Sequence, residues 1–113
     1  MADEINSQAQ DIAMAIIANS GDGRSKAFEA LTKAQNGDFE EAKKLIKESS
    51  DAIGQAHDVQ TQMLVDEANG KKTEFSILTI HAQDHFMTSL LANDLIKQMI
   101  KMQEEINELK GEK

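Results

Sequence analysis

Apolar residues recur every three or four positions along most of this chain, which is the spacing of an amphipathic helix. Three blocks carry the pattern. The first opens near Asp3, runs through Ile5, Ala9, Ile12, Ala13, Ile16 and Ile17, and resumes with Ala27, Phe28, Leu31 and Ala34. Ser20, Gly21, Asp22 and Gly23 stand between the two stretches. Glycine is costly within a helix and cheap at a kink or C-cap, so the spacing predicts a first helix bent or broken near Gly21–Gly23. Asn36-Gly37-Asp38 is a turn. Asp38 then reads as the N-cap of the second block, with Glu41 three residues on as in a capping box. Ala42, Leu45, Ile46, Ser49, Ala52, Ile53, Ala56, Val59 and Met63 follow at helical spacing, and Asn69-Gly70 closes the block.

The third block carries most of the information. Thr73 is its expected N-cap, followed by Glu74 in the first turn. Leu78, His81, His85, Thr88, Ala92, Leu95, Met99, Met102, Ile106 and Leu109 alternate by three and four as a coiled-coil seam does. A second stripe holds Ile77, Ile80, Asp84, Met87 and Leu91, and a third holds Phe75, Ala82, Phe86 and Leu90. From Phe75 to Leu91 the helix is therefore apolar nearly all round and should be buried on every side. Three helices in one chain cannot enclose it, so a homo-oligomer is expected. The charged tail from Lys101 is expected to fray. The whole is an all-α, antiparallel three-helix bundle, with one domain over residues 1–113.

Composition narrows the field. The 113 residues contain no proline, cysteine, tryptophan or tyrosine, and the net charge is −8. The acidic balance argues against nucleic acid as a partner. The lack of cysteine removes disulfide scaffolds, thiolate catalysis and cysteine–zinc sites. No apolar run approaches the roughly 20 residues of a membrane span, and Met1 to Asn6 do not resemble a signal peptide. A cytoplasmic protein without membrane insertion is expected.

Chemistry has few places to reside. His81 and His85 lie one helical turn apart. They suit a metal pair, a satisfied pair of core histidines, or a phosphoryl carrier. Helical zinc hydrolases place a glutamate directly after the first histidine, where Ala82 stands here, and no third ligand is evident. A neutral imidazole is a nucleophile near neutral pH, and a phosphorylated ring nitrogen is a good leaving site, so a histidine can relay a phosphoryl group. Asp84 is a lone carboxylate in an apolar stripe. It either faces solvent or meets its symmetry mates, where shared protons or a hard cation such as Mg²⁺ would relieve the repulsion. His57 reads as an exposed helix residue, the methionines as core filler, and Gly21-Asp22-Gly23-Arg24 as a helix break rather than a phosphate loop.

The run His81-Ala82-Gln83-Asp84-His85-Phe86-Met87-Thr88 resembles the signature of the lactose/cellobiose/chitobiose-type IIA proteins of the bacterial phosphoenolpyruvate-dependent sugar phosphotransferase system. Ser20 to Ser25, Asn36 to Phe39, and Ala56-His57 with Gln60-Thr61 match the layout of that family. The resemblance implies a homotrimer forming a nine-helix bundle. It implies phosphorylation of His81 at Nε2, with phospho-HPr as donor. The acceptor would be a cysteine of the cognate IIB, which feeds the IIC permease for a β-disaccharide. It further implies that Asp84 lies on the threefold axis, where one divalent ion of the Mg²⁺ type is held per trimer. His85 would orient His81 or line the site, and Gln83 would supply a supporting donor. The competing expectation is a structural helical oligomer or adaptor whose histidines are core.

Overall fold

The computed structural model describes residues 2–71 and 75–111, with side chains from Gln8 onward. Three helices follow in order: α1 (Ala2–Gln35), α2 (Phe39–Ala68) and α3 (Ile77–Leu109). Successive helices run antiparallel and form a rod of 64 × 21 × 19 Å. The capping chemistry explains where they start and stop. Asp38 accepts from the Glu41 backbone N–H at 3.2 Å and opens α2. Gly37 and Gly70 take positive φ, +85° and +87°, and turn the chain after α1 and α2 as few side chains would permit.

Two expectations about helix ends fail. Thr73 lies outside the described residues, and the N-cap of α3 is Ser76, joined to Thr79 in a reciprocal capping box. Ser76 Oγ accepts from the Thr79 backbone N–H while the Ser76 backbone N–H donates to Thr79 Oγ1, so both orphan donors are satisfied. The charged tail does not fray at Lys101. It stays helical to Leu109, held by buried Ile100 and Asn107, by the Gln103–Asn107 side-chain bond and by a Lys43–Glu104 ion pair at 3.6 Å.

A third expectation fails for a more instructive reason. α1 is not broken at Gly21–Gly23 but runs unbroken from Ala2 to Gln35. The two glycines serve close approach instead. A Cβ at Gly23 would lie 2.6 Å from Ile53 Cγ1 and 3.1 Å from the Ser49 carbonyl oxygen on α2. A Cβ at Gly21 would lie 3.3 Å from His85 Nε2 on α3. Two residues apart on a helix is a rotation of roughly 200°, so one glycine faces each neighbouring helix.

The core is built from small side chains in two apolar clusters. One holds Ala27, Ala30, Ala34, Ala42, Leu45, Ile96 and Ile100; the other holds Ala13, Ile16, Ile53, Ala56, Ala82 and Phe86. Between them lies a polar layer. Asn93 donates to Ser49 Oγ at 2.9 Å and to Ser50 Oγ at 3.3 Å, and Ser49 Oγ donates to the Gly23 carbonyl at 2.6 Å. This chain of bonds runs from α3 through α2 to α1. Ser20 and Ser89 are buried in the same layer.

The burial pattern also revises the seam of α3. The stripe that faces α1 and α2 is Thr79, Ala82, Phe86, Ser89, Asn93, Ile96, Ile100 and Asn107. It keeps the three–four alternation but contains four polar residues, and so was hidden by its composition.

Candidate phosphoryl-transfer site

His81 and His85 project from α3 beside the cluster built around Phe86. The ring of His81 is exposed and that of His85 is half-buried. Their centroids are 5.9 Å apart and their planes differ by 14°, a parallel stack. Neither histidine is a core residue, so the reading of a satisfied buried pair does not hold. Among the described residues no three His, Cys, Asp or Glu side chains come together to hold a metal ion, which leaves a zinc centre without a third ligand. Within the same set no hydrogen bond orients the ring of His81. The ring beside it is that of His85.

His85 packs with its Nε2 edge toward the backbone of α1 at Gly21. Its pKa is lowered below 6.5 by burial first, then by the positive charges of Arg24 and of His81 when protonated. Arg24 stands three residues beyond Gly21 on α1, so that helix supplies both the clearance for the ring and a cation near it. Sequence reasoning passed over both residues as part of a helix break. A clue was available: two glycines two apart within an otherwise good helical pattern face two different partners.

Gln83 turns away from the histidines toward α2, where it accepts from Gln60 Nε2 at 2.6 Å. It ties α2 to α3 rather than serving the His81 ring. Thr88 bonds back to the Asp84 and His85 carbonyls of its own helix. His57 is exposed, with its ring 6.0 Å from Phe86.

Asp84 is exposed on a different face, the stripe of Ile77, Ile80, Met87 and Leu91. Here α3 is not buried on every side within one chain: Ile77 is 87% exposed, Ile80 and Met87 53%, and Leu91 57%. The stripe continues through Leu95, Met99, Met102 and Ile106, all exposed. An apolar recess of about 330 Å³ opens next to it between α2 and α3, lined by Leu64, Phe75, Ile80 and Asp84 among others. One carboxylate cannot by itself form a binding site for a divalent cation, which takes several oxygen ligands. The donor chemistry fits such an ion only if copies of Asp84 from several chains converge.

Comparison with known proteins decides the family. The model of the phosphotransferase-system lactose/cellobiose-specific IIA subunit matches residues 11–104. The chain belongs to that IIA family. The lichenan-specific phosphotransferase enzyme IIA component of Bacillus subtilis (strain 168) is 38% identical over 107 residues, covering 95% of this chain and 97% of the relative. The crystal structure of the cellobiose-specific enzyme IIA from Bacillus anthracis superposes with a TM-score of 0.85 at 39% identity, over 88% of this chain and 91% of that one. A solution structure of the complex of the chitobiose IIA with HPr, from the N,N'-diacetylchitobiose branch of the Escherichia coli phosphotransferase system, contains a chain that superposes with a TM-score of 0.75. It is 40% identical, over 88% of this chain and 96% of its own length. This chain is therefore a phosphotransferase-system IIA component, a phosphoryl carrier. Among its described residues no helix is long and apolar enough to cross a membrane.

Proposed function

We propose that this IIA subunit carries its phosphoryl group on His81, taking it from phospho-HPr and passing it to a cysteine of the cognate IIB, which serves the IIC permease. The observation that carries this reading is the exposed ring of His81, stacked on a half-buried partner at the surface of a rigid helix. A relay histidine must be reachable by two different proteins in turn, and its ring must be ordered before they arrive. In the transfer, the lone pair of His81 Nε2 forms a P–N bond while the P–N bond to the histidine of HPr breaks and its electron pair returns to that imidazole. The second transfer breaks the new bond as a thiolate of IIB forms an S–P bond. Neither step needs a proton to move in the transition state, so the chain needs little acid–base machinery. The relay takes place in the cytoplasm, and the sugar is chosen elsewhere in the system.

The assembly belongs to the same proposal. The exposed stripe of α3 runs from Ile77 to Leu109, a distance of roughly 50 Å at 1.5 Å per residue. Its three–four spacing suits a coiled-coil seam, and a homotrimer in which three α3 helices pack along it gives a nine-helix bundle. Asp84 is the one charged residue between Ile77 and Leu91 on that seam. Three copies of it would hold one divalent ion, Mg²⁺ by the hardness of the oxygen ligands, and the ion would offset their mutual repulsion.

The test is mass spectrometry at alkaline pH after incubation with phosphoenolpyruvate, Enzyme I and HPr. The expected result is one acid-labile phosphoryl group on the peptide containing His81, absent from a His81→Gln variant that still folds and associates. A phosphoryl group that persists in that variant, or one found on His57, would overturn the assignment.

A further inference from the structure

The side chain missing at Gly21 leaves room for the His85 ring. A methyl group added there would lie 3.3 Å from His85 Nε2, tighter than side-chain carbons ordinarily sit, so the ring would have to give way by a few tenths of an ångström. The plane of the ring is nearly parallel to that of His81, with centroids 5.9 Å apart. His85 thus has its Nε2 edge against the backbone of α1 and a face of its ring toward His81, so a ring displaced at Gly21 changes the surface beside which His81 lies. We propose that Gly21 is a positioning residue for phosphoryl transfer: its bare Cα lets His85 lie against α1, and the ring stack then sets where His81 presents its reactive nitrogen. The proposal rests on His81 being the phosphorylated residue.

A second glycine shows what Gly21 would look like without this role. Gly54 lies within α2, carries the same penalty for glycine in a helix, and has nothing within 4 Å of an added Cβ. Alanine at Gly54 gains helix stability and meets no neighbour. Alanine at Gly21 gains the same helix propensity but meets the ring beside the relay histidine. Gly54→Ala should therefore raise stability and leave the transfer rate alone, whereas Gly21→Ala should slow transfer whatever it does to stability.

The experiment compares Gly21→Ala, Gly54→Ala, His85→Ala and the Gly21→Ala/His85→Ala double variant. Two quantities are read: the rate of transfer from phospho-HPr by rapid quench, and the His81 ring proton resonances by NMR without any donor present. Gly21→Ala should slow transfer roughly threefold to tenfold, since misplacement of a reacting group by 1 Å can cost about a hundredfold. It should also shift the His81 ring resonances. Gly54→Ala should leave both at the parent values. In the His85→Ala background the added methyl at Gly21 has nothing to push, so its effects on rate and resonances should vanish. Parent rate and unshifted His81 resonances in Gly21→Ala would overturn the positioning role. So would equal slowing with and without His85. A parent protein phosphorylated elsewhere would instead remove the His81 assignment itself, and that is read on the parent before any variant is made.

Discussion

Replacing Gly23 by alanine separates two accounts of why α1 carries glycine. Were Gly23 a helix breaker, alanine would stabilise the protein by about 1 kcal/mol, the difference in helix propensity between the two residues. The packing predicts the opposite sign. The new Cβ would sit 2.6 Å from Ile53 Cγ1, 2.9 Å from Ile53 Cδ1 and 3.1 Å from the Ser49 carbonyl oxygen. The last of these is backbone and cannot turn aside, so α1 and α2 must separate locally. Overpacking of this kind costs about 1–3 kcal/mol. Separation also stretches the 2.6 Å bond from Ser49 Oγ to the Gly23 carbonyl, a loss of about 1 kcal/mol more. Against the propensity gain, the net expectation is a loss of roughly 1–3 kcal/mol, or a fall in Tm of roughly 4–12 °C for a chain of this size. Thermal unfolding by circular dichroism at one fixed protein concentration reads it, because association shifts Tm by mass action. A double-mutant cycle with Ile53→Ala should show coupling of about 1 kcal/mol or more, since the clash partner has been removed. A rise in Tm for Gly23→Ala, or strict additivity with Ile53→Ala, would refute the account of close approach.

Asp84→Leu should leave the oligomer at least as stable as the parent and abolish binding of a divalent ion, read by sedimentation and metal analysis; monomers in that variant would show that the carboxylates hold the assembly together. His85 should titrate below 6.5 in a histidine ring-proton NMR titration, because burial, Arg24 and His81 all oppose its charge. With the folded pKa depressed, the unfolded chain binds the extra proton first, so this group's contribution to stability is present above 6.5 and is lost as pH falls toward the folded pKa. A midpoint at or above 6.5 would contradict that environment.

Much was legible in the sequence because it was local. Helix periodicity, the Asp38 cap, and the turns at Gly37 and Gly70 follow from chemistry within a few residues, and all reappear in the structure. The family signature around His81 was legible for a different reason, since His81 and its neighbours follow one another on a single helix. What stayed hidden was decided by partners distant in sequence. Three stripes of α3 share one period, and period alone cannot say which faces the chain's own helices. Ser89, Asn93 and Asn107 look like surface residues until Ser49 and the Gly23 carbonyl are brought opposite Asn93. Gly21 and Gly23 look like a break until His85 and Ile53 arrive against them. Local propensity is a weak force of about 1 kcal/mol per residue. At Gly21 and Gly23 it yielded to packing between helices: the sequence determined that there would be three helices and a family signature around His81, and the tertiary structure decided which face of each helix is inside.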